Sequence, residues 1–299
     1  MLFAQFVDGP AGRLLFVGHR PEPGATQRPR ASGRAGKGPH AHWVLVAPPL
    51  AEELNKSRRT LSLLGRALAK IGVGLLMVDL FGTGDSEGEL RAATWQGWVE
   101  DLACAHRWLL AQGAGQVDLL AVRGGALLAW DYLARVAVDH LSLWQPVVSG
   151  RRLGAQLLRL RLAANLMGRG EGETSAGLRE RLRQEQWLEI AGYGFPAQLF
   201  AALEEAELGP LDGRRLGGLD WYQVEPDAQT NPDREEAPAL PLPARHTIGA
   251  WQDAGLAVEA VRVRGDAFWT TQEICEGTAL IEATVRRIAE RRGRTLAGP

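Results

Sequence analysis

The sequence has few cysteines, no long apolar run and no excess of charge of either sign. Its two cysteines, Cys104 and Cys275, fit no metal-binding spacing and are typical of a reduced, cytoplasmic protein. A formal net charge of -1 argues against nucleic acid as a partner. No window approaches the roughly 20 apolar residues of a membrane span, and the first residues do not resemble a secretion signal. We therefore expect a cytoplasmic protein without a metal or cofactor.

From Trp43 onwards, short apolar runs alternate with amphipathic segments. This alternation predicts an α/β fold, with a parallel sheet covered by helices on both faces. Residues 19–42 are rich in Pro, Gly and Arg, and predict a mobile loop because they have little apolar surface to bury. The alternation stops at Gly150 and resumes near residue 211. The predicted division is a first part of the core at 1–150, a helical cap at 151–210 and the remaining core at 211–299.

A glycine-containing loop is predicted after the second parallel strand, where Asp79–Gly88 reads D-L-F-G-T-G-D-S-E-G. Gly82 and Gly84 permit a tight backbone path at the carboxyl edge of the sheet, and Ser86 can hydrogen-bond within the loop. This D-x-x-G-x-G-x-S pattern resembles the loop after the fourth strand of α/β hydrolases. The resemblance implies an α/β-hydrolase fold, with a mostly parallel twisted sheet and a helical cap.

Four further segments resemble one family of that superfamily. They are V-A-P-P-L-A-E-E-L-N-K-S-R-R at 46–59, L-W-Q-P-V-V-S-G at 143–150, A-G-Y at 191–193 and G-D-A-F-W-T-T-Q-E-I at 265–274. Together they are similar to the exosortase A system-associated hydrolase 2 family. The resemblance implies a bacterial cytoplasmic protein encoded beside exopolysaccharide and PEP-CTERM protein-sorting systems. It implies a hydrolase label without a particular substrate.

The nucleophile position of this fold is altered. In serine hydrolases the nucleophile stands at a sharp strand-to-helix turn, G-x-S-x-G, between small residues that let the backbone close. Residues 121–125 read A-V-R-G-G, so Arg123 occupies that position between Ala121 and Gly125. A guanidinium stays protonated and cannot attack a carbonyl as a serine does. The sequence therefore predicts the turn without its hydroxyl.

The other catalytic positions are also altered. The family pattern expects a histidine after the last strand, where the segment G-D-A-F-W contains Asp266 and places Phe268 at or beside that position. His246 is the histidine nearest this edge of the sheet, although a surface or helix-start position is the simpler interpretation. Glu225 and Asp227 follow a strand where the catalytic acid is expected, and solvated loop carboxylates are the simpler interpretation for both.

An oxyanion hole would use a backbone N–H of Gly124 and another from the loop after the first parallel strand. Because Pro48 and Pro49 lack an N–H, Leu50 is the first residue of that loop that can donate. A charged run follows, which is either the solvated start of a helix or a polar wall of the pocket. Its members are Glu52, Glu53, Asn55, Lys56, Arg58 and Arg59.

Arg123 is predicted at the start of a helix, where a cation opposes the helix dipole by about 0.3–1 kcal/mol. We therefore expect an anion beside it. Within the chain, the candidates are Asp85 and Asp266, on loops at the same sheet edge. The alternative is a carboxylate or phosphate ligand, held by Arg123 with Lys56 or Arg58. The internal ion pair is the simpler interpretation.

Three functions stay open. The first is a hydrolase or acyltransferase that acts on esters or thioesters through displaced residues such as Asp266 or His246. The second is a catalytically silent protein that binds either a small anionic or acyl ligand, or a partner in polysaccharide assembly. The third and least favoured is a membrane-surface factor using the basic, Leu-rich segment 151–166. Leu153, Leu157, Leu160 and Ala164 form one helical face there, so packing within the cap is simpler. The sequence does not predict an oligomeric state.

Overall fold

A computed structural model of the chain describes residues 1–22, 41–167, 173–225, 240–271 and 275–297, with the backbone alone at 164–167 and 294–297. Most of the predicted loop at 19–42, and Asp227, lie outside these residues. The predicted bounds of that loop are too wide. His19 is the last residue of a strand, and residues 41 and 42 begin the next one, because both strands extend their hydrogen bonding past the apolar runs.

The described residues contain ten strands and eight helices longer than one turn. The strands are β1 (Leu2–Asp8), β2 (Arg13–His19), β3 (Ala41–Ala47), β4 (Val73–Val78), β5 (Ala114–Val122), β6 (Leu141–Trp144), β7 (Trp187–Ile190), β8 (Tyr193–Pro196), β9 (Leu219–Glu225) and β10 (Val258–Arg264). The helices are α1 (Glu52–Lys70), α2 (Trp95–Ala111), α3 (Gly125–Leu133), α4 (Gly150–Met167), α5 (Ser175–Glu185), α6 (Ala197–Glu205), α7 (Leu242–Asp253) and α8 (Thr278–Ala297).

Eight of the strands form one sheet in the order β1-β2-β4-β3-β5-β6-β9-β10. β1 and β2 form an antiparallel hairpin, β2 pairs antiparallel with β4, and every later pair is parallel. The parallel strands at the centre are apolar runs because helices cover both of their faces. All carboxyl ends of these parallel strands therefore meet at one edge, where the loops carry the candidate site.

Two apolar cores lie on the two faces of the sheet. One packs the sheet against α2, α3 and α7, and includes a stacked pair of rings, Trp130 and Trp251, with centroids 4.6 Å apart. The other packs it against α1 and α8, where Trp144 meets Phe268 edge to face at 6.2 Å. Thr94 caps the start of α2, because its hydroxyl accepts the N–H of Gly97.

Between β6 and β9 the chain leaves the main sheet and forms α4, α5, the β7–β8 hairpin and α6, which we call the inserted segment. Leu153 and Leu157 of α4 are buried, but Leu160 is 54% exposed, so the predicted apolar face is wrong there. Leu158 is buried instead, because the packed stripe is centred further round the helix. The side chain of Ala164 lies outside the described residues. None of the described helices combines the length and apolarity needed to cross a bilayer.

Candidate functional site at the turn after β5

Arg123 lies at a sharp turn between β5 and α3, with φ at 53°. This left-handed conformation is unfavourable for a residue with a Cβ, by roughly 1–2 kcal/mol. Backbone bonds hold it in place, since its N–H donates to Trp144 at 3.0 Å and its carbonyl accepts from Val147 at 3.2 Å. The turn thus aims the Arg123 side chain at the carboxyl edge of the sheet.

Small residues on either side of Arg123 let α3 begin close to the end of β3. Ala121 is fully buried. A Cβ on Gly125 would clash with the carbonyl oxygens of Ala47 and Pro48. The predicted need for small residues two places before and after Arg123 therefore has a steric cause in the neighbouring strand.

The Arg123 guanidinium is paired within the chain. Its Nε and Nη2 donate to Glu53 Oε1 at 3.2 and 3.1 Å, and its Nη1 donates to the carbonyl of Gln145 at 3.3 Å. The guanidinium carbon also lies 5.3 Å from the centroid of the Trp269 ring, a cation–π contact. Only 13% of the Arg123 side chain and 22% of the Glu53 side chain are exposed. Burial raises the pKa of the Glu53 carboxyl, although the charge of Arg123 lowers it.

The prediction that Asp85 or Asp266 pairs with Arg123 is wrong. Both side chains are exposed, and the ion pair is made by Glu53 instead. The cause is the start of α1, which follows the loop after β3 so closely that its first turn reaches over Arg123. Glu53 lies in that first turn, where a carboxylate is also favoured by the helix dipole.

Phe268 is a core residue and does not face Arg123. It is almost fully buried, and its ring packs against Trp144 in the core beside α1 and α8. The next residue, Trp269, contacts the guanidinium. The sequence pattern places Phe268 at or beside the histidine position, and the side chain beside it is the one that meets Arg123.

The remaining triad candidates are not assembled around Arg123. His246 is exposed on α7, and Glu225 forms a two-bond ion pair with Arg262 at 2.7 Å. Asp227 lies outside the described residues. Within the described part of the chain, no hydrogen bond or ion pair links Arg123 to a histidine.

Leu50 and Gly124, the predicted oxyanion donors, are neighbours. A Cβ on Gly124 would lie 3.3 Å from Leu50 Cγ and 2.7 Å from Leu153 Cδ2 of α4. Leu50 and Leu153 are both buried. An apolar cover from the loop and from the inserted segment therefore closes over the backbone of Gly124.

The charged run after β3 is not simply a solvated helix start. Asn55 donates to the hydroxyl of Tyr193 at 2.9 Å, and that hydroxyl donates to Glu52 at 3.3 Å. Because Tyr193 begins β8, these bonds tie α1 to the inserted segment. The helix itself starts after Ala51, which has φ at 53° and makes no side-chain cap bond.

Two cations of this run form bonds with neighbouring loops. Lys56 donates to the carbonyl of Thr270 at 3.3 Å, and Arg58 pairs with the buried Asp79 at 2.9 Å. Asp79 also accepts the N–H of Asp85 at 3.0 Å. Neither Lys56 nor Arg58 is therefore placed to bind a ligand together with Arg123 as the alternative prediction required.

Two cavities open near this edge. The first has a volume of about 460 Å³ and is bordered by Arg123, by the α4 residues Arg152 and Arg159, and by Trp221; we call it the arginine cavity. The second, of about 300 Å³, lies between the start of α1, the loop after β4 and the β7–β8 hairpin, and does not include Arg123. Within the described residues, no group of three or more His, Cys, Asp or Glu side chains is arranged to hold a metal ion.

Sequence reasoning missed four residues of this site. Gln145 supplies a carbonyl to Arg123 from a left-handed conformation, with φ at 44°, and its side chain accepts the N–H of Val224 at 2.6 Å. Trp269, Tyr193 and Trp221 take part through contacts between distant segments. The sequence offered two signals, the Q-P pair at 145–146 after an apolar strand and the F-W pair at 268–269. Neither signal specifies which residue would be contacted.

Comparison with solved structures finds several related folds at low sequence identity. Est1E from Butyrivibrio proteoclasticus with bound ferulic acid has a TM-score of 0.64 and 11% identity, with 97% of this chain and 100% of that chain covered. A putative hydrolase from Agrobacterium vitis S4 has a TM-score of 0.59 and 13% identity, covering 97% and 99%. The proline iminopeptidase-related protein from Thermus thermophilus has a TM-score of 0.53 and 17% identity, covering 97% and 98%.

No family model matches the chain, and no similar sequence is found among curated proteins. The structural likeness extends over nearly the whole chain, and the mostly parallel eight-stranded sheet agrees with it. At these identities the likeness defines the architecture alone. The chain has an α/β-hydrolase fold.

Proposed function

We propose that this chain is a non-hydrolytic protein of the α/β-hydrolase fold that binds a small anionic ligand at the carboxyl edge of its sheet. The observation that carries the proposal is Arg123 at the turn where serine hydrolases of this fold place their nucleophile. A guanidinium cannot be deprotonated in a protein, so it supplies no nucleophile for acyl transfer.

The surroundings of Arg123 support binding more than catalysis. A catalytic serine needs a base within hydrogen-bond reach, and the partners of Arg123 are a carboxylate, a carbonyl and an indole ring from Glu53, Gln145 and Trp269. The apolar cover over Gly124 also argues against a working oxyanion hole, which needs room for a reacting carbonyl.

The segments that resemble the exosortase A system-associated hydrolase 2 family support a role for this binding protein beside exopolysaccharide and PEP-CTERM systems in the bacterial cytoplasm. Hydrolysis or acyl transfer on an ester or thioester, through the displaced residues Asp266 or His246, is the alternative. Both side chains are exposed, and neither is bonded to Arg123.

Turnover assays decide between the two. Purified protein is incubated with p-nitrophenyl butyrate and with acetyl-CoA, and product release is compared with the buffer rate. We expect no release above that rate. Turnover by the wild type that is abolished by Asp266→Asn or by His246→Ala would contradict the proposal, because it would locate the chemistry in those displaced residues.

A further inference from the structure

We infer that the arginine cavity binds a small organic dianion, with a phosphate monoester as the head group that fits best. This inference rests on the proposed function and specifies its ligand. The cavity is positively charged, because Arg123, Arg152 and Arg159 border it and no carboxylate does so among the described residues.

The charge of Arg123 is balanced by Glu53, whereas Arg152 and Arg159 form no ion pair within the described part of the chain. As far as the described residues show, the cavity wall thus has two uncompensated positive charges. A phosphate monoester is close to a dianion at neutral pH, and guanidinium groups bind its oxygens through charge-assisted hydrogen bonds.

The helix α4 directs these charges to one side. Arg152, Gln156 and Arg159 follow the i, i+4, i+7 spacing of a single helical face, and all three border the cavity. The buried residues Leu153, Leu157 and Leu158 lie on the other side of the helix. The polar face of α4 therefore stands over the cavity while its apolar face anchors the helix.

An unused buried donor is a second, independent sign of a ligand. Trp221 borders the cavity and is only 1% exposed, and its indole N–H has no hydrogen-bond partner among the described residues. A buried N–H without a partner is unfavourable, so a ligand oxygen that accepted this hydrogen bond would relieve that cost. Gln223, two residues further along β9, also borders the cavity and is mostly buried.

Arg123 retains donors for such a ligand. It lies on the cavity wall, and its three hydrogen bonds to Glu53 and Gln145 leave further N–H groups of the guanidinium unused. The volume of about 460 Å³ is in the range of small-molecule sites. The pocket thus combines size, positive charge and spare donors.

Isothermal titration of the purified full chain with phenyl phosphate at low salt tests the inference. Benzoate serves as the monoanion and inorganic phosphate as the bare head group. We expect phenyl phosphate to bind about tenfold or more tightly than benzoate, because it offers a second charge to the arginines. Equal binding of the two, or no binding of phenyl phosphate at millimolar concentration, would overturn the inference.

Charge variants on α4 separate a built site from general attraction. The double variant Arg152→Gln/Arg159→Gln removes the two uncompensated charges at exposed positions, and should weaken phenyl phosphate binding by about tenfold or more. Arg151→Gln is the matched control, since Arg151 is exposed on the same helix but does not border the cavity. An equal loss in both variants would contradict the inference.

Trp221→Phe keeps an aromatic ring and removes the N–H, and should weaken binding severalfold. Unchanged affinity in this variant would exclude the indole from the site, so the unpartnered N–H of Trp221 would no longer support a ligand there.

The failures of the two proposals are distinguishable. Ester turnover would reject the proposed function whatever the titration gives, whereas an inert protein that ignores phenyl phosphate would reject only the dianion site.

Discussion

The ion pair of Arg123 with Glu53 is more than a surface contact, because most of both side chains is withdrawn from solvent. Within such a pair, each charge offsets the burial cost of the other, and removal of one partner leaves an uncompensated charge. The raised pKa of Glu53 indicates that burial outweighs the help it receives from Arg123. The carboxylate therefore depends on Arg123 to stay charged.

This dependence gives a prediction for Arg123→Met. At neutral pH we expect the free energy of unfolding to fall by about 1–3 kcal/mol, because Glu53 loses its cation and stays buried. Without Arg123 the pKa of Glu53 rises further, and an acid with a raised folded-state pKa loses stability as pH increases. The deficit should therefore shrink as pH falls toward the ordinary pKa of a glutamate. Urea unfolding of the variant and the wild type at several pH values measures this loss in the free energy of unfolding.

The double variant Arg123→Met/Glu53→Gln is the control for this prediction. It removes both charges, so most of the lost stability should return and the pH dependence of the deficit should disappear. A single variant whose deficit is unchanged from neutral to mildly acidic pH would show that lost packing, and not the stranded carboxylate, is the cause.

Placing a hydroxyl at this turn by Arg123→Ser should not produce hydrolysis. A serine at this turn has no imidazole beside it among the described residues, and its neighbours are Glu53 and Trp269. We expect no burst of p-nitrophenol from p-nitrophenyl acetate and no steady turnover. A burst that matches the enzyme concentration would mean that a working base exists at this turn.

At the scale of elements, the sequence predicted the framework well because strands and helices depend on local apolar patterns. The alternation of strands and helices from Trp43 to Gly150 is present, and the loop after β4 follows the predicted tight path, with φ at 74° for Gly82 and 54° for Gly84. Ser86 bonds within that loop as expected, since its hydroxyl donates to the carbonyl of Asp79 at 2.5 Å.

The partner of Arg123 could not be predicted in the same way. Its identity depends on where α1 starts, and no side-chain cap marks that start. Glu53 belonged to a charged run whose members contact five different residues, namely Arg123, Tyr193, Thr270, Asp79 and Glu276. Such choices are set by the tertiary arrangement of loops, which periodicity does not encode.

The close approach of α3 to β3 can be tested with one methyl group. Gly125→Ala would force the new Cβ against the carbonyl oxygens of Ala47 and Pro48, and should destabilise the protein by about 1–3 kcal/mol. Gly249→Ala on α7 is the matched control, because nothing lies within 4 Å of its added Cβ. That change should stabilise the helix by about 0.5–1 kcal/mol. Opposite signs in thermal unfolding would confirm the steric argument, and equal signs would contradict it.

At the scale of the whole molecule, a buried charge network joins the sheet to the last helix. Asp220, near the start of β9, accepts from Arg287 of α8 at 2.7 Å and lies 3.1 Å from the ring of His140. Arg291, one turn further along α8, also pairs with Asp220 and lies 3.7 Å from Asp118 of β5. These aspartates interrupt apolar strand segments, and their arginine partners come from a helix more than sixty residues away in sequence. The network therefore could not be read from local pattern.

The acid response of the fold should depend on this network. Burial raises the pKa of Asp220, but the hydrogen bonds from His140 and Arg287 outweigh it and lower the pKa to about 2. Because an unfolded aspartate titrates near 3.8, the ionised side chain favours the folded state by about 2 kcal/mol at neutral pH. That contribution is present above pH 3.8 and is lost as pH falls through the folded-state value.

Asp220→Asn should therefore lower the free energy of unfolding by about 2 kcal/mol or more at pH 7, where Arg287 also loses its counter-charge. The difference from wild type should stay constant down to about pH 5 and narrow at lower pH, because protonation then removes the same charge from the wild type. Glu282→Gln on the exposed side of α8 is the control, and should change stability by less than about 0.5 kcal/mol. Urea unfolding of the three proteins between pH 7 and pH 3 measures these differences. If the free energy of unfolding of Asp220→Asn still differed from that of the wild type by the same amount at pH 3, the effect of Asp220 would be due to its shape and not to its charge.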